Sequence, residues 1–136
     1  MKVATETAEA PVAEIGGETV LVVDDNPGVL MVVKKNLEGF GYRVLTAGDA
    51  NEALALIEKS GPPDLLFSDI VMPGEMSGVA LAIKISKQWP PVKTLLTSGF
   101  PESAINHRSS EIGFAILSKP YRQAELRQRI RQMLAG

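Results

Sequence analysis

The stretch TVLVVDDNPGVLMVV, residues 19–33, places a run of apolar residues directly before two adjacent aspartates. Such a short run, rich in β-branched residues, predicts a strand that is buried on both faces, as in a parallel sheet. Pro27 then marks the first turn of a helix, and apolar residues follow it at helical spacing. Asp24 and Asp25 therefore stand where a buried strand ends, although adjacent carboxylates repel each other.

The same alternation of short apolar runs and helical patterns continues to the end of the chain. Strands are predicted at residues 20–23, 42–46, 64–69, 92–99 and 114–120. Helices are predicted from Pro27 to Gly39, from an Asp49 cap to Gly61, from Ser77 or Gly78 to Gln88, as a short segment after Pro101, and over residues 121–134. In the third helix, spacing assigns Val79, Ile83 and Ile85 to the apolar positions.

Five strands that alternate with five helices predict an α/β fold, a doubly wound five-stranded parallel sheet between two layers of helices. Right-handed crossovers restrict the topology further. Ligands of such folds bind at the carboxyl ends of the strands, so the residues at those ends carry the functional interpretation.

Composition and charge exclude several classes of function. The chain has 136 residues, of which 45% are hydrophobic and 22% charged, and this balance predicts one compact domain. The formal net charge of −2 argues against electrostatic binding of the whole domain to nucleic acid or an anionic membrane. Because Cys is absent, disulfides, thiolate zinc sites and cysteine nucleophiles are excluded. We expect a cytoplasmic protein without membrane insertion, since no apolar run approaches the roughly 18 residues of a membrane span.

Residues 1–17 are rich in Ala, Glu and Thr, and they predict a flexible tail or linker ahead of a domain at residues 18–136. The segment lacks the apolar core of a signal peptide. It is either a cloning remnant or a native interdomain linker.

Polar residues end four of the five predicted strands. They are Asp24–Asp25, Asp69, Thr97 and Lys119–Pro120. All would meet at one edge of a parallel sheet. Three carboxylates at a water-accessible edge form a site for a hard cation such as Mg²⁺, which takes oxygen ligands and would cancel the repulsion within the aspartate pair.

Each of these residues, taken alone, has a simpler interpretation. Asp25 could be a helix N-cap, Asp69 a turn acid, Thr97 an ordinary strand-end hydroxyl, and Lys119 a solvated lysine. Their joint placement favours the acidic site.

His107 lies in a polar stretch that predicts a surface residue. Arginines of the last helix alternate with Glu125 and glutamines, which favours a solvated face over a nucleic-acid patch; they are Arg122, Arg127, Arg129 and Arg131.

The DD pair, the acid of FSDIVMPG, the Thr of LLTSG and the KP of LSKPY occur in this order at predicted strand ends. Together they resemble the receiver domain of bacterial two-component response regulators, over about residues 19–134. Each motif is common alone, whereas the ordered set is specific. The resemblance implies a flavodoxin-like fold with strand order 2-1-3-4-5.

The resemblance also implies a role for each residue. Asp69 would accept a phosphoryl group from a phosphohistidine, and Lys119 and Thr97 would contact that group. Mg²⁺ would be the cofactor, held by Asp24, Asp25, Asp69 and the backbone carbonyl of Val71. A cis peptide bond would precede Pro120.

The implied partners are a histidine kinase or a histidine phosphotransfer protein. They would bind the first helix and the loop after the fifth strand, where Val29, Leu30 and Val32 are candidates. We expect no effector domain after the fifth helix, no direct nucleic-acid binding and at most a weak homodimer. The domain would signal by a change of conformation and would not act as an enzyme.

Two features refine the resemblance. Receivers commonly carry an aromatic residue three positions before the lysine, but here that position is Ile116, with Phe114 two residues earlier. The usual aromatic switch is therefore in doubt, and the helix after Phe100 is another possible route. The loop MPGEMSG and the segment LLTSGF are similar to receivers fused to the C-terminus of hybrid sensor histidine kinases.

Two other functions remain open on the sequence. A pseudo-receiver would act only as a docking or dimerisation module, although it would have no need for all five site residues. A phosphatase with an aspartyl nucleophile would use a D-x-D pattern after the first strand, whereas the acids here are adjacent.

Overall fold

A computed structural model describes residues 17–135, so the tail predicted for residues 1–17 lies outside the described residues except for Gly17. Five strands and five helices alternate along this part of the chain. They are β1 (Thr19–Val23), α1 (Pro27–Glu38), β2 (Arg43–Ala47), α2 (Ala50–Ser60), β3 (Leu65–Asp69), α3 (Gly78–Gln88), β4 (Lys93–Ser98), α4 (Glu102–Ile112), β5 (Ala115–Ser118) and α5 (Gln123–Ala135).

The strands form one sheet in the order β2-β1-β3-β4-β5, and every pair of neighbours is parallel. This confirms the doubly wound α/β fold and the order 2-1-3-4-5. Because all strands run in one direction, their carboxyl ends share one edge of the sheet. Register places Val23 beside Ser68, and Asp69 beside Thr97.

Two apolar layers cover the sheet, and β1 contributes to both. Val20 and Val22 pack with α1 and α5, whereas Leu21 and Val23 pack with α2, α3 and α4. Successive residues of a strand point to opposite faces, so a strand buried on both faces needs an unbroken apolar run. This requirement explains the sequence that precedes Asp24.

Several predicted bounds were wrong. Helix α4 is not short but spans 11 residues. Helix α5 begins at residue 123 because Arg122 acts as its cap: its carbonyl accepts from the Leu126 N–H, and its own N–H donates to Glu125. Strand β2 extends to Ala47 and β5 ends at Ser118. Ile83 is 41% exposed, so its assignment to the apolar side of α3 fails.

No helix within residues 17–135 is both long enough and apolar enough to cross a bilayer.

Candidate functional site

The carboxyl end of β1 holds a buried aspartate next to an exposed one. Asp24 is only 5% exposed, and its backbone N–H still donates to Ala47 of β2. The Asp24 carboxylate accepts the Asn26 N–H at 2.9 Å. Asn26 in turn caps α1, because its side chain accepts from the N–H groups of Gly28 and Val29. Helix capping therefore falls to Asn26, and the alternative that Asp25 is the N-cap is wrong.

The carboxyl end of β3 holds the second buried acid. Asp69 is 7% exposed; one carboxylate oxygen accepts the Val71 N–H at 3.2 Å and the other accepts from Lys119 Nζ at 2.8 Å. The contact with the Val71 N–H is that of a turn acid, so the simpler interpretation of Asp69 is correct for this oxygen. It does not account for the contact with Lys119. Behind Asp69, a Cβ on Gly78 would overlap the Asp69 carbonyl oxygen. Only glycine allows α3 to begin this close to the strand end.

Asp24, Asp25 and Asp69 each offer one carboxylate oxygen within 4.8 Å of the others. All three are hard oxygen donors, and Asp25 is exposed, so the group is open to water on one side. These are the donor type and the access that Mg²⁺ requires, since this ion keeps several of its waters. The residues present therefore fit the ion. The fourth predicted ligand, the Val71 carbonyl, stays a prediction, because the structure ties only the Val71 N–H to Asp69.

Burial and crowding raise the pKa of the Asp24 carboxyl above its ordinary value of 3.8. Burial is the largest cause, and the charges of Asp69 and Asp25 also raise this pKa. The Asn26 N–H and Lys119 act in the opposite sense. Burial and the charges of both buried aspartates also raise the pKa of Tyr121 to about 12. The three carboxylates thus carry more negative charge than the other residues of the site balance.

Lys119 and Thr97 reach the site from β5 and β4. The Lys119 side chain is 38% exposed and pairs with Asp69, and the predicted cis peptide bond between Lys119 and Pro120 is confirmed. Thr97 is 2% exposed and lies beside Asp69 in the sheet register. Its hydroxyl donates to the Leu117 carbonyl at 2.9 Å and not to a group of the acidic cluster.

The sequence analysis missed two residues beside the site. Gly78 showed no signal beyond a place at a helix start, since the overlap with Asp69 depends on tertiary packing. Tyr121 directly follows the KP pair, and that adjacency could have revealed it. Its ring packs edge-to-face on Phe67 with centroids 5.9 Å apart.

Ile116 takes the position where an aromatic residue was expected, and it is 1% exposed in the layer formed by α2, α3 and α4. Phe114, which directly precedes β5, packs against the same layer. Next to them, Phe100 is held at both backbone groups: its N–H donates to Ser98 Oγ, and its carbonyl accepts from Ser118 Oγ.

Comparisons with known proteins agree with this geometry. The sequence model of the response regulator receiver domain matches residues 20–131. Sensor kinase CckA of Brucella abortus is 35% identical over 88% of this chain, which spans only 13% of that kinase. The response regulator receiver protein CpdR of the same organism is 33% identical, and the match covers 85% of this chain and 95% of CpdR.

Solved structures share the fold. The response regulator TrrA of Thermotoga maritima, crystallised in complex with Mg²⁺-BeF, is 31% identical with a TM-score of 0.72. The match covers 85% of this chain and 98% of TrrA.

Proposed function

This chain belongs to the response regulator receiver domain family, and we propose that it is the phosphoacceptor of a two-component phosphorelay, with Asp69 as the residue that is phosphorylated. One observation carries the proposal: the buried Asp69 carboxylate lies against Lys119 Nζ at 2.8 Å and within 4.8 Å of two further carboxylates. A stability role alone would not favour three crowded acids at the end of a core strand.

In the proposed reaction a carboxylate oxygen of Asp69 attacks the phosphorus of a phosphohistidine. The new O–P bond forms as the P–N bond breaks, and the imidazole leaves and takes up a proton from water. The negative oxygens of the phosphoryl group make charge neutralisation the main requirement. Lys119 supplies one positive charge from its half-exposed side chain. Mg²⁺, when held by Asp24, Asp25 and Asp69, would supply the remaining positive charge.

Thr97 is proposed to report the phosphorylation. Its hydroxyl now donates to Leu117 of β5, and it would donate to the phosphoryl group once that group is attached to the neighbouring Asp69. The exchange would release a contact between β4 and β5 next to Phe100. The signal would then be a shift between two conformations rather than the release of a product.

A histidine kinase or a histidine phosphotransfer protein is the proposed donor. A largely apolar groove of about 830 Å³ lies beside the acidic site, between α1 and the loop after β5. Val29, Val32 and Tyr121 line it, and Val32 is 54% exposed. Of the other candidates, Leu30 is half-buried against the core, so Val32 is the better contact for a partner. CckA is a sensor kinase by its name, and we propose that this chain serves such a kinase or forms part of one.

Labelling with a small acyl phosphate tests the proposal. Incubation of the protein with acetyl phosphate and Mg²⁺ should add the mass of one phosphoryl group, detected by intact-protein mass spectrometry. Asp69→Asn should abolish the label, whereas Asp49→Asn, a matched change at an acid outside the site, should leave it intact. Removal of Mg²⁺ with EDTA should prevent labelling.

The opposite result would favour the docking or dimerisation module. Wild-type protein that stays unlabelled, while binding a partner equally well with and without the acyl phosphate, would overturn the phosphoacceptor proposal.

A further inference from the structure

A second group of unbalanced charges lies away from the acidic site, where α5 faces the chain between α1 and β2. A groove of about 280 Å³ opens there, lined by two aromatic rings, two arginines and small or polar side chains. The lining residues are Phe40, Tyr42, Ala124, Arg127, Gln128 and Arg131. None of them lines the larger groove proposed above for the phosphoryl donor.

Within residues 17–135, the arginines of this groove have no anionic partner. The Arg127 guanidinium stacks on Phe40 with its carbon 3.8 Å from the ring centroid, so the prediction of a merely solvated arginine face is wrong for this residue. Its Nε is buried and has no hydrogen-bond partner within residues 17–135. Across the same residues, neither Arg127 nor Arg131 forms an ion pair. A buried, charged donor without an acceptor is unfavourable, so the groove is suited to a carboxylate.

The chain enters the domain beside this groove. The Gly17 N–H donates to the Gly41 carbonyl at 2.8 Å, and the Arg43 guanidinium donates through Nη2 to the Gly17 carbonyl at 3.3 Å. Gly41 stands between Phe40 and Tyr42 in the chain, so Gly17 is hydrogen-bonded to the backbone segment that carries both rings. Residue 14 can reach roughly 10 Å from Gly17, at about 3.3–3.6 Å per residue.

The residues that precede Gly17 have the matching chemistry. Residues 9–16, EAPVAEIG, carry two glutamates, no basic residue, and the apolar side chains of Val12 and Ile15. An acidic residue from this end of the chain already acts in the groove: burial and the charge of Glu18 raise the pKa of Tyr42, and the charge of Arg131 opposes them.

We propose that residues 9–16 bind in the groove between α5 and Phe40–Tyr42, with the Glu14 carboxylate against the Arg127–Arg131 pair and Ile15 against the rings. The occupant is thus a segment of this chain. The amino end of β1 and the carboxyl end of β3, which holds Asp69, lie at opposite ends of the parallel strands. The docked segment would therefore leave open both the acidic site and the groove between α1 and the loop after β5. It would also fix the direction in which the preceding chain leaves the domain.

Disulfide trapping tests the location, and the absence of native Cys makes the result unambiguous. The full chain carrying Ala13→Cys and Gln128→Cys places one thiol in the segment and the other at the groove. The control pairs Ala13→Cys with Lys84→Cys, which is also exposed and lies on α3, on the opposite face of the sheet. In a glutathione redox buffer, the groove pair should show an effective concentration about tenfold above that of the control pair. Equal values would overturn the proposal.

Charge reversal tests the proposed ionic contact of Glu14 with Arg131. The measurement uses the variant that carries Ala13→Cys and Gln128→Cys. Glu14→Lys should lower the effective concentration about two- to fivefold, as expected for the loss of one partly exposed ion pair. Adding Arg131→Glu should restore it, and Arg131 is exposed, so that change should not disturb folding. Circular dichroism and the melting temperature check the fold of each variant. No change on Glu14→Lys, or no recovery in the double variant, would contradict the proposed pairing.

Discussion

The strand ends of this sheet use aspartate in two opposite ways. After β2, the Asp49 side chain accepts the Glu52 N–H at 2.8 Å, and the Glu52 carboxylate accepts the Gly48 N–H at 2.7 Å. This reciprocal capping is a normal stabilising device. At the ends of β1 and β3, Asp24 and Asp69 are buried close to a third carboxylate, that of Asp25. Lys119 is the cation paired with this group, so the negative charge is only partly neutralised. The same residue type therefore stabilises the end of β2 and destabilises the ends of β1 and β3.

The difference lies in which residue does the capping. At β2 the first acid after the strand caps the helix. At β1 an asparagine does so, which leaves both preceding acids available for the site. A cluster that costs stability and serves no cap is typical of a functional site. The predictions below test this contrast.

The largest effect is expected at the close approach behind Asp69. Gly78→Ala should lower the free energy of unfolding by about 3 kcal/mol, because its Cβ would overlap the Asp69 carbonyl and force α3 away from β3. Urea denaturation measures the change. Gly99→Ala is the matched control, since a Cβ there meets no atom of the described residues within 4 Å; it should alter stability by less than about 0.5 kcal/mol. Equal losses in the two variants would show that the approach at Asp69 is not restrictive.

The cap at β2 should matter for stability and not for chemistry. Asp49→Ala should lower the free energy of unfolding by about 1 kcal/mol, because the Glu52 N–H loses its acceptor. Asp49→Asn, which keeps an acceptor oxygen, should lose less. Neither should change the rate of labelling by acetyl phosphate, measured by intact mass. Slower labelling in either variant would break the division between the two strand ends.

The smallest effect is expected at Asp24, and its sign is the opposite one. In metal-free buffer at pH 7, Asp24→Asn should raise the free energy of unfolding by about 0.5 kcal/mol, since it removes a buried charge and keeps the acceptor for the Asn26 N–H. Asp25→Asn, at an exposed position, should gain less.

The gain at Asp24 should depend on pH. Because folding raises the pKa of Asp24 above 3.8, wild-type stability falls as the pH rises from about that value through the raised pKa. The difference between Asp24→Asn and wild type should therefore vanish in acid and be complete at neutral pH. Denaturation curves at a series of pH values measure it. A difference that is constant with pH would contradict a buried, destabilising carboxylate.

The α/β class could be predicted because the sequence signals for strands and helices are local, whereas the strand order 2-1-3-4-5 came from the resemblance to receiver domains. Unbroken apolar runs identified strands that are buried on both faces, and the acids, Thr97 and Lys119 were assigned to strand ends by position alone. The bounds of α4 and α5 were less accessible: α4 has few apolar residues, and the start of α5 depends on the contact between Arg122 and Glu125.

Parts of the site depend on tertiary packing and could not be predicted. The overlap at Gly78 and the hydrogen bond of Thr97 to Leu117 join elements that are distant in sequence. The stacking of Arg127 on Phe40 is of the same kind, because the charge pattern of α5 alone favoured a solvated face.

The most direct test of the central claim is a crystal structure of the chain with Mg²⁺ and beryllofluoride, a mimic of the phosphoryl group. The account predicts beryllium bonded to an Asp69 carboxylate oxygen. It also predicts Mg²⁺ about 2.0–2.1 Å from oxygens of Asp24 and Asp69, and a Thr97 hydroxyl that has left the Leu117 carbonyl for a fluoride. Beryllofluoride bound at another residue, or Mg²⁺ without contact to either buried aspartate, would contradict it.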